Sequence, residues 1–369
     1  MNKKIKILFT LPFMNAGGAE KIVCTLLKNL DGERFEPVLL LLEKKGAFLN
    51  RVPPEIEIYD LKSPSLKSSF FKLFNAIKEI DPDIVFSTIG SMNLLVSSVI
   101  GFMPRKIKFV ARETNLVSLK NRDEKYPLLF DLMFKSVYKK FDLVICQSRD
   151  MFEDLRDNYR MPISKMKIIH NPVDKKEIEE RASCGGNEKL FDERFFNVVA
   201  VGSLSFKKGF DLLIKSLFLC DRDDIFLTLI GEGKEKERLK RLVRVLSLEN
   251  RVVFSGFREN PYPYMKNADL LALSSRYEGF PNVLLEANAL GVPVLAFSCK
   301  GGINEIVKEG INGFVAESFD ISEFAQKLEK AADFPFDGEK IKKSVERYEL
   351  SKIIDEYEKV FENLYEERA

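Results

Sequence analysis

The feature that most constrains this chain is an alternation carried twice: short apolar runs rich in β-branched and aromatic residues, separated by stretches with helical periodicity. In the first half the runs read KIKILFTL (4–11), PVLLLLE (37–43), DIVFSTIG (83–90), KFVARET (108–114), LVICQS (143–148) and KIIHNP (167–172). In the second half they read NVVAVGSL (197–204), FLTLIGEG (226–233), RVVFSGF (251–257), DLLALSS (269–275), PVLAFS (293–298) and GFVAE (313–317). Each run has the length of a strand, and the helical stretches between runs are what a crossover between parallel strands requires. A parallel sheet is covered by helices on both faces, so its strands read as continuous apolar runs. At 369 residues the chain is too long for one compact core. The expected fold is α/β, with two doubly wound domains. Their junction is expected at the proline turn His170-Asn171-Pro172-Val173-Asp174, ahead of a polar stretch at Ser183, Cys184, Gly185, Gly186 and Asn187. This places an N-terminal domain over 1–172 and a C-terminal domain over 173–350. The tail, 351–369, sets Ile353, Ile354, Tyr357, Val360, Phe361 and Leu364 close to helical spacing.

Composition narrows the class. Hydrophobic residues make up 45% and charged residues 31%, and no apolar run approaches the roughly 18 residues of a membrane span. The N-terminus MNKKIKILFT leads straight into a strand pattern, without the features of a signal peptide. Cys24, Cys146, Cys184, Cys220 and Cys299 are odd in number, scattered and never paired as CxxC. Reduced thiols in the cytoplasm are the expectation, with neither disulfides nor zinc. The net charge of +2 conceals an asymmetry, because residues 1–170 hold 28 basic against 20 acidic residues and the remainder holds 30 against 36. A basic N-terminal half suits an anionic surface or substrate, although a lysine-rich composition produces such an imbalance by itself. Nucleic acid is not an expected partner. Open α/β sheets bind ligands beyond the carboxyl ends of their strands, so the active site is expected in a cleft between two facing sheets.

Between 274 and 297, the stretch SSRYEGFPNVLLEANALGVPVLAF sets Glu278 and Glu286 eight positions apart across a loop-to-helix junction. Pro281 suits a first helical turn, 282–290 is a compact helix-forming run, Gly291 stops it, and PVLAF is a buried strand. Glu278 then belongs to the loop. Glu286 lies one turn inside the helix, where a carboxylate in an apolar run needs partners that offset its desolvation. The vicinal diol of a sugar is such a partner. For an isolated pair of glutamates, a cap or a surface ion pair is the commoner explanation. Here the whole segment E-G-F-P-N-V-L-L-E-A, with the G-V-P-V that follows, resembles the E-x7-E signature of the retaining family-four glycosyltransferases. That resemblance implies the GT-B fold: two Rossmann-like domains facing a cleft, with a C-terminal helix over 351–369 that crosses back to the N-terminal domain. It also implies that Glu278 contacts hydroxyls of the donor sugar and that Glu286 holds the nucleotide ribose. The backbone amides of Gly279, Phe280, Asn282 and Val283 would face the diphosphate, as helix starts favour anions.

Other segments extend the likeness. Leu11 ends the first strand, and Gly17 and Gly18 follow just before a helix expected over about 19–30. The fingerprint G-x-G-x-x-G is absent there, which argues against a nicotinamide enzyme. The loop from Pro12 through Ala16 to Glu20 resembles the family's glycine-rich turn facing the donor phosphate and the acceptor. Val201 to Asp211 resembles G-R-L-x-x-x-K-G, whose arginine and lysine bind the diphosphate. Lys208 matches the lysine, but Ser203 stands where the arginine is expected, and a serine supplies neither charge nor a bidentate contact. Either Lys207, Arg258 or a backbone dipole supplements Lys208, or stabilisation of the leaving group is weaker. Phe257 and Arg258 fall where the family's base-recognition loop lies, and Gly301-Gly302 can bring amides toward the donor. Gly231, Gly233 and Gly256 read equally well as turn glycines, and Phe257 as a packed aromatic.

The family's N-terminal histidine is missing. That stretch holds Arg112 and Glu113, candidates to position the acceptor or the sugar, while the lone His170 belongs to the interdomain turn and reads as structural. Asp81-Pro82-Asp83 matches D-x-D in form but reads more simply as a turn between a helix and a strand, so no metal ligands are expected. Two amphipathic stretches bear on the acceptor: 65–80, with Leu66, Phe70, Phe71, Leu73, Phe74, Ile77 and Ile80 among Lys67, Lys72 and Lys78; and Tyr126 to Tyr138, flanked by Lys135, Lys139 and Lys140. Ordinary packing on a sheet accounts for most of them, and a shallow contact with an anionic membrane suits part of the basic half. The expected activity is metal-independent, retaining transfer of a hexose or N-acetylhexosamine from a nucleoside-diphosphate sugar, UDP-sugar favoured. The expected acceptor is a glycan, lipid-linked or a cell-surface polysaccharide precursor, met in the cytoplasm at the inner face of the membrane. A sugar-nucleotide epimerase of the same fold, or an inactive nucleotide-sugar-binding partner subunit, is the alternative.

Overall fold

The computed structural model describes residues 3–15, 17–122, 127–184 and 190–368. Ala16, Tyr126, the side chain of Lys67, and Gly185, Gly186 and Asn187 of the polar stretch lie outside the described residues. The chain divides into two units, Met1–Pro172 with Ser351–Ala369, and Val173–Leu350.

The first unit is built on strands β1 (Ile5–Leu11), β2 (Phe35–Leu41), β3 (Glu57–Asp60), β4 (Ile84–Thr88), β5 (Lys108–Arg112), β6 (Leu143–Cys146) and β7 (Met166–Ile168). All pair in parallel, in the order β3-β2-β1-β4-β5-β6-β7. β4, IVFST, is buried along its whole length, as a central strand covered on both faces must be. β3, EIYD, is absent from the apolar pattern because it is a short edge strand, mostly half-buried, with a charged residue at each end. Asp81 closes the helix Phe70–Ile80 in the left-handed conformation, at φ 45°, and Asp83 accepts a hydrogen bond from the Lys6 N–H at 2.8 Å beside β4. The D-P-D triplet is thus a turn and a strand anchor.

The last helix, Leu350–Glu366, packs on this sheet. Phe361 sits edge-on to Phe9, Phe35 and Phe86, with ring centroids 6.4, 6.2 and 5.9 Å away. Burying a ring of this size contributes about 2–3 kcal/mol, enough to fix where the chain end docks. Glu358 adds a polar latch by accepting from the Asp31 N–H at 2.8 Å and pairing with Arg34.

The second unit contains β8 (Phe196–Val201), β9 (Ile225–Ile230), β10 (Val252–Gly256), β11 (Leu270–Leu273), β12 (Val294–Phe297) and β13 (Gly313–Ala316), parallel in the order β10-β9-β8-β11-β12-β13. Successive residues serve opposite faces: Val198 joins Leu227, Leu229 and Phe297 on one side, and Val199 joins Leu271, Leu273 and Leu284 on the other. In each unit the winding reverses at the central pair, β1/β4 and β8/β11. Loops leaving the carboxyl ends of such a pair diverge to opposite sides of the sheet and leave room for a ligand.

Candidate active site

The site at the β8/β11 switch is assembled from the loop after each strand. β8 leads into a single 3-10 turn, Phe206–Lys208, and the helix Phe210–Leu219 starts only after Gly209. Gly209 has φ 62°, and a Cβ there would collide with the Ser274 carbonyl, so only glycine lets the two loops lie this close. β11 leads into 274–281, and the helix Asn282–Ala289 follows with Pro281 as its N-cap.

Glu278 is 6% exposed, and its Oε1 accepts from Lys208 Nζ and from Ser275 Oγ, each at 2.6 Å. Lys207 Nζ lies 3.6 Å from Oε2. Burial by itself would raise this carboxyl. The ammonium groups of Lys208 and then Lys207, with the two hydrogen bonds, outweigh burial and hold it at about 2. Burial pushes Lys207 down, opposed by Glu278. Cys299 packs nearby, its thiol raised to about 12 by burial first and Glu278 second, so it is a neutral filler and no nucleophile. The Glu278 N–H donates to the Lys300 carbonyl at 3.1 Å, and Gly301, at φ 115°, leaves space for the Glu278 carbonyl that a Cβ would occupy.

Glu286 is half-buried in the first turns of its helix and accepts from Tyr262 Oη at 3.3 Å, while the Arg181 guanidinium lies 5.0 Å from the Tyr262 ring. Pro281 offers no capping side chain, so the helix start, with Asn282 and Val283, presents backbone N–H groups at the same end as Lys208 and Glu278. Gly279 is buried between the two glutamates. The Phe280 ring is turned into the core, 5.5 Å from Tyr348, so only its backbone is placed to face a ligand. Ser203 is exposed, with its Oγ 3.2 Å from Ser205 Oγ. Of the cations considered as its substitute, Lys207 reaches Glu278, whereas Arg258 donates to Ser255 Oγ at 3.1 Å and lies 5.5 Å from the Tyr264 ring. Phe257 is 59% exposed. Ser275, Arg276 and Asp211 belong to this cluster and no motif pointed to them. Arg276 reaches Asp211 across 65 positions, a pairing without local signature.

In the first unit, Gly17 caps the helix Gly18–Asn29, and the Glu20 carboxylate, raised by burial, lies over Gly17 where a Cβ would clash. Arg112 is 1% exposed and is held inside the unit: Nε donates to Tyr357 Oη at 3.1 Å, Nη2 to Asn171 Oδ1 at 2.6 Å and Nη1 to Thr88 Oγ1 at 3.4 Å. Glu113 is equally enclosed, accepting from Asn93 Nδ2 at 2.8 Å and from Tyr138 Oη. Burial raises its carboxyl to about 7, against the lowering by Lys120 and Asn93. Both side chains, expected to meet an acceptor, instead tie the strand ends to the surrounding helices. His170 directly precedes Asn171, which carries the buried contacts of that turn. Among the described residues, no group of three or more His, Cys, Asp or Glu side chains is arranged to hold a metal ion.

Comparison with known proteins matches residues 16–177 to Glycosyltransferase Family 4 and residues 187–349 to Glycosyl transferases group 1. The N-acetylgalactosamine-N,N'-diacetylbacillosaminyl-diphospho-undecaprenol 4-alpha-N-acetylgalactosaminyltransferase of Campylobacter jejuni is 30% identical over 319 residues, 82% of this chain and 84% of that protein. The chain is a family-4 glycosyltransferase. Another relative of this glycosyltransferase, the lipopolysaccharide 1,6-galactosyltransferase of Escherichia coli, is 28% identical over 205 residues, 53% of this chain and 55% of the relative. HepE of Anabaena, crystallised with UDP and glucose, superposes with a TM-score of 0.80 at 22% identity, covering 97% of this chain and 99% of HepE. That superposition confirms the GT-B fold.

Proposed function

We propose that this glycosyltransferase transfers a hexose or N-acetylhexosamine, with retention and without a metal ion, from UDP-sugar to a lipid-linked or cell-surface glycan precursor. The observation that carries the donor half is the convergence of Lys207 and Lys208 on the buried Glu278 at the β8/β11 switch. In this reading Lys208, with Lys207, binds the diphosphate, the Glu278 carboxylate accepts from sugar hydroxyls, and Glu286 accepts from the ribose. Backbone N–H groups from Gly279 to Val283 complete the phosphate contacts, and Phe257 and Arg258 flank the base. As the glycosidic bond breaks, negative charge grows on the leaving phosphate, and preorganised ammonium groups lower that barrier without a divalent ion. A donor phosphate oxygen receives the acceptor's proton on the face the leaving group vacates. Uridine is favoured because HepE was crystallised with UDP and with UDP-glucose.

The first unit is assigned the acceptor. The name of the Campylobacter relative specifies a diphospho-undecaprenol acceptor, and that of the Escherichia coli relative specifies lipopolysaccharide. No helix among the described residues is long and apolar enough to cross a membrane. Leu128 and Leu132, 85% and 65% exposed, lie one turn apart on the helix Pro127–Val137, and Phe71 is 75% exposed. With Lys135, Lys139 and Lys140 exposed beside the leucines, this face suits shallow contact with the cytoplasmic surface of an anionic membrane. Wild-type protein is expected to sediment with phosphatidylglycerol vesicles and Leu128→Ser/Leu132→Ser protein to remain in the supernatant; equal sedimentation would discard this surface.

Glu286→Ala is expected to weaken UDP binding by roughly tenfold, the loss of one charge-assisted hydrogen bond. Calorimetric titration with UDP checks it, beside a panel of labelled sugar nucleotides offered to wild-type protein with and without polyprenyl-diphosphate-linked acceptors. Failure of every sugar nucleotide to bind would remove the donor site. Binding without transfer would favour the inactive partner subunit, to which Ser203 in place of an arginine would be suited.

A further inference from the structure

We infer that Arg276 is a positioning residue for phosphate binding, acting through the Lys207–Lys208 turn; this rests on the donor-site reading above. The segment 274–276 takes all three carbonyl oxygens of the 3-10 turn. Arg276 Nη1 donates to the Phe206 carbonyl at 2.6 Å, the Arg276 N–H to the Lys207 carbonyl at 2.8 Å, and Ser274 Oγ to the Lys208 carbonyl at 3.0 Å. The guanidinium is itself fixed from two directions. It forms a bidentate pair with Asp211 at 3.0 and 2.9 Å, and lies 3.9 Å from the centroid of the Phe206 ring.

Asp211 stands in the first turn of the helix after the lysines, and Glu278 stands two residues beyond Arg276. Arg276 therefore joins the segment carrying both cations to the segment carrying the carboxylate they face. Lysine stems are flexible, and holding two of them over one site costs side-chain entropy. Fixing the turn's backbone from below restricts where their ammonium groups can go before any ligand arrives, which is the preorganisation that electrostatic catalysis needs. The fork geometry is essential. Lysine at 276 could reach Asp211 or the Phe206 carbonyl but could not present parallel N–H groups to the carboxylate while covering the ring.

The test is steady-state transfer from UDP-sugar by full-length Arg276→Ala and Arg276→Lys proteins, with kcat normalised to the folded fraction measured by near-UV circular dichroism. The expected result is a kcat lower by roughly 10- to 100-fold in both variants, with acceptor KM unchanged, the size of effect seen when a group supporting a site's ligands is removed. In a Lys208→Ala background the same substitution is expected to cost much less, since its effect passes through that lysine. Normalised kcat at the wild-type level in Arg276→Ala, full rescue by Arg276→Lys, or an undiminished loss in the Lys208→Ala background would each overturn the inference. These results differ from failure of the donor-site reading itself, which would appear as wild-type protein that binds no sugar nucleotide, or as Lys208→Ala protein with unaltered turnover.

Discussion

Alanine at position 208 is expected to lower kcat by roughly 100- to 1,000-fold, the range found when one preorganised charge-stabilising donor is removed from a leaving group. Lys208 stands out because its Nζ bonds the Glu278 carboxylate at 2.6 Å in a largely buried setting, where charges act more strongly than in water. Lys207 and Ser275 remain beside Glu278 in the variant, so the carboxylate keeps two partners and the fold is expected to survive. Stability should change in a pH-dependent way. Glu278 titrates near 2 when folded and near 4.5 when unfolded, so its contribution is present above about pH 4.5 and is lost as pH falls toward 2. Removing Lys208 raises the folded value, and the variant should be less stable than wild type above about pH 5 and converge with it near pH 2–3. Product formation under saturating donor measures the first effect, and urea titration across pH the second. Unaltered kcat would remove Lys208 from the site, whatever the stability data show.

The second large effect belongs to Glu113, in the other unit. Its carboxyl is raised to about 7 in the folded chain, chiefly by burial, against 4.5 for the ordinary group. A raised acid holds its proton in the folded state where the unfolded chain has lost it, so its stabilising contribution is complete below about pH 4.5 and is lost as pH rises to about 7. A shift of that size corresponds to on the order of 3 kcal/mol between those limits. Glu113→Gln keeps an oxygen to accept from Asn93 and Tyr138 but removes the titration. Wild-type stability relative to this variant is therefore expected to fall by on the order of 3 kcal/mol between pH 5 and pH 8. Urea unfolding of both proteins at several pH values gives this difference directly, and any constant offset from the amide cancels. A difference that stays flat with pH would show that Glu113 is ionised throughout and that burial does not govern it.

Much of the fold was readable from the chain. β8 to β13, and the strands of the first sheet other than β3, each overlap one of the apolar runs, because parallel strands covered on both faces present apolar side chains in succession. β3 escaped because EIYD is a short edge strand with charged ends. In the site, Glu278 and Glu286 were legible because the helix start, the proline and the stop glycine fix their places within one short segment. Lys208 was legible by likeness, and Lys207 as one of several candidates. Arg112 and Glu113 read as ligand-facing because local sequence shows residue type without direction; the structure turns both inward, onto Tyr357 of the last helix and onto the Asn93–Tyr138 pair. Arg276 and Asp211 gave no signal at all.

The sequence by itself determined two doubly wound sheets, the places of Glu278 and Glu286 on either side of a helix start and the family to which the chain belongs, because these rest on periodicity and on residues a few positions apart. Only the tertiary structure decided that Lys207, and not Arg258, joins Lys208 beside Glu278, why Glu278 stays ionised while buried, and what holds the Lys207–Lys208 turn in place. Each of these depends on charges meeting across 65 to 71 positions. Coulombic and desolvation energies follow separation in space and degree of burial, and neither is written in the order of residues along the chain.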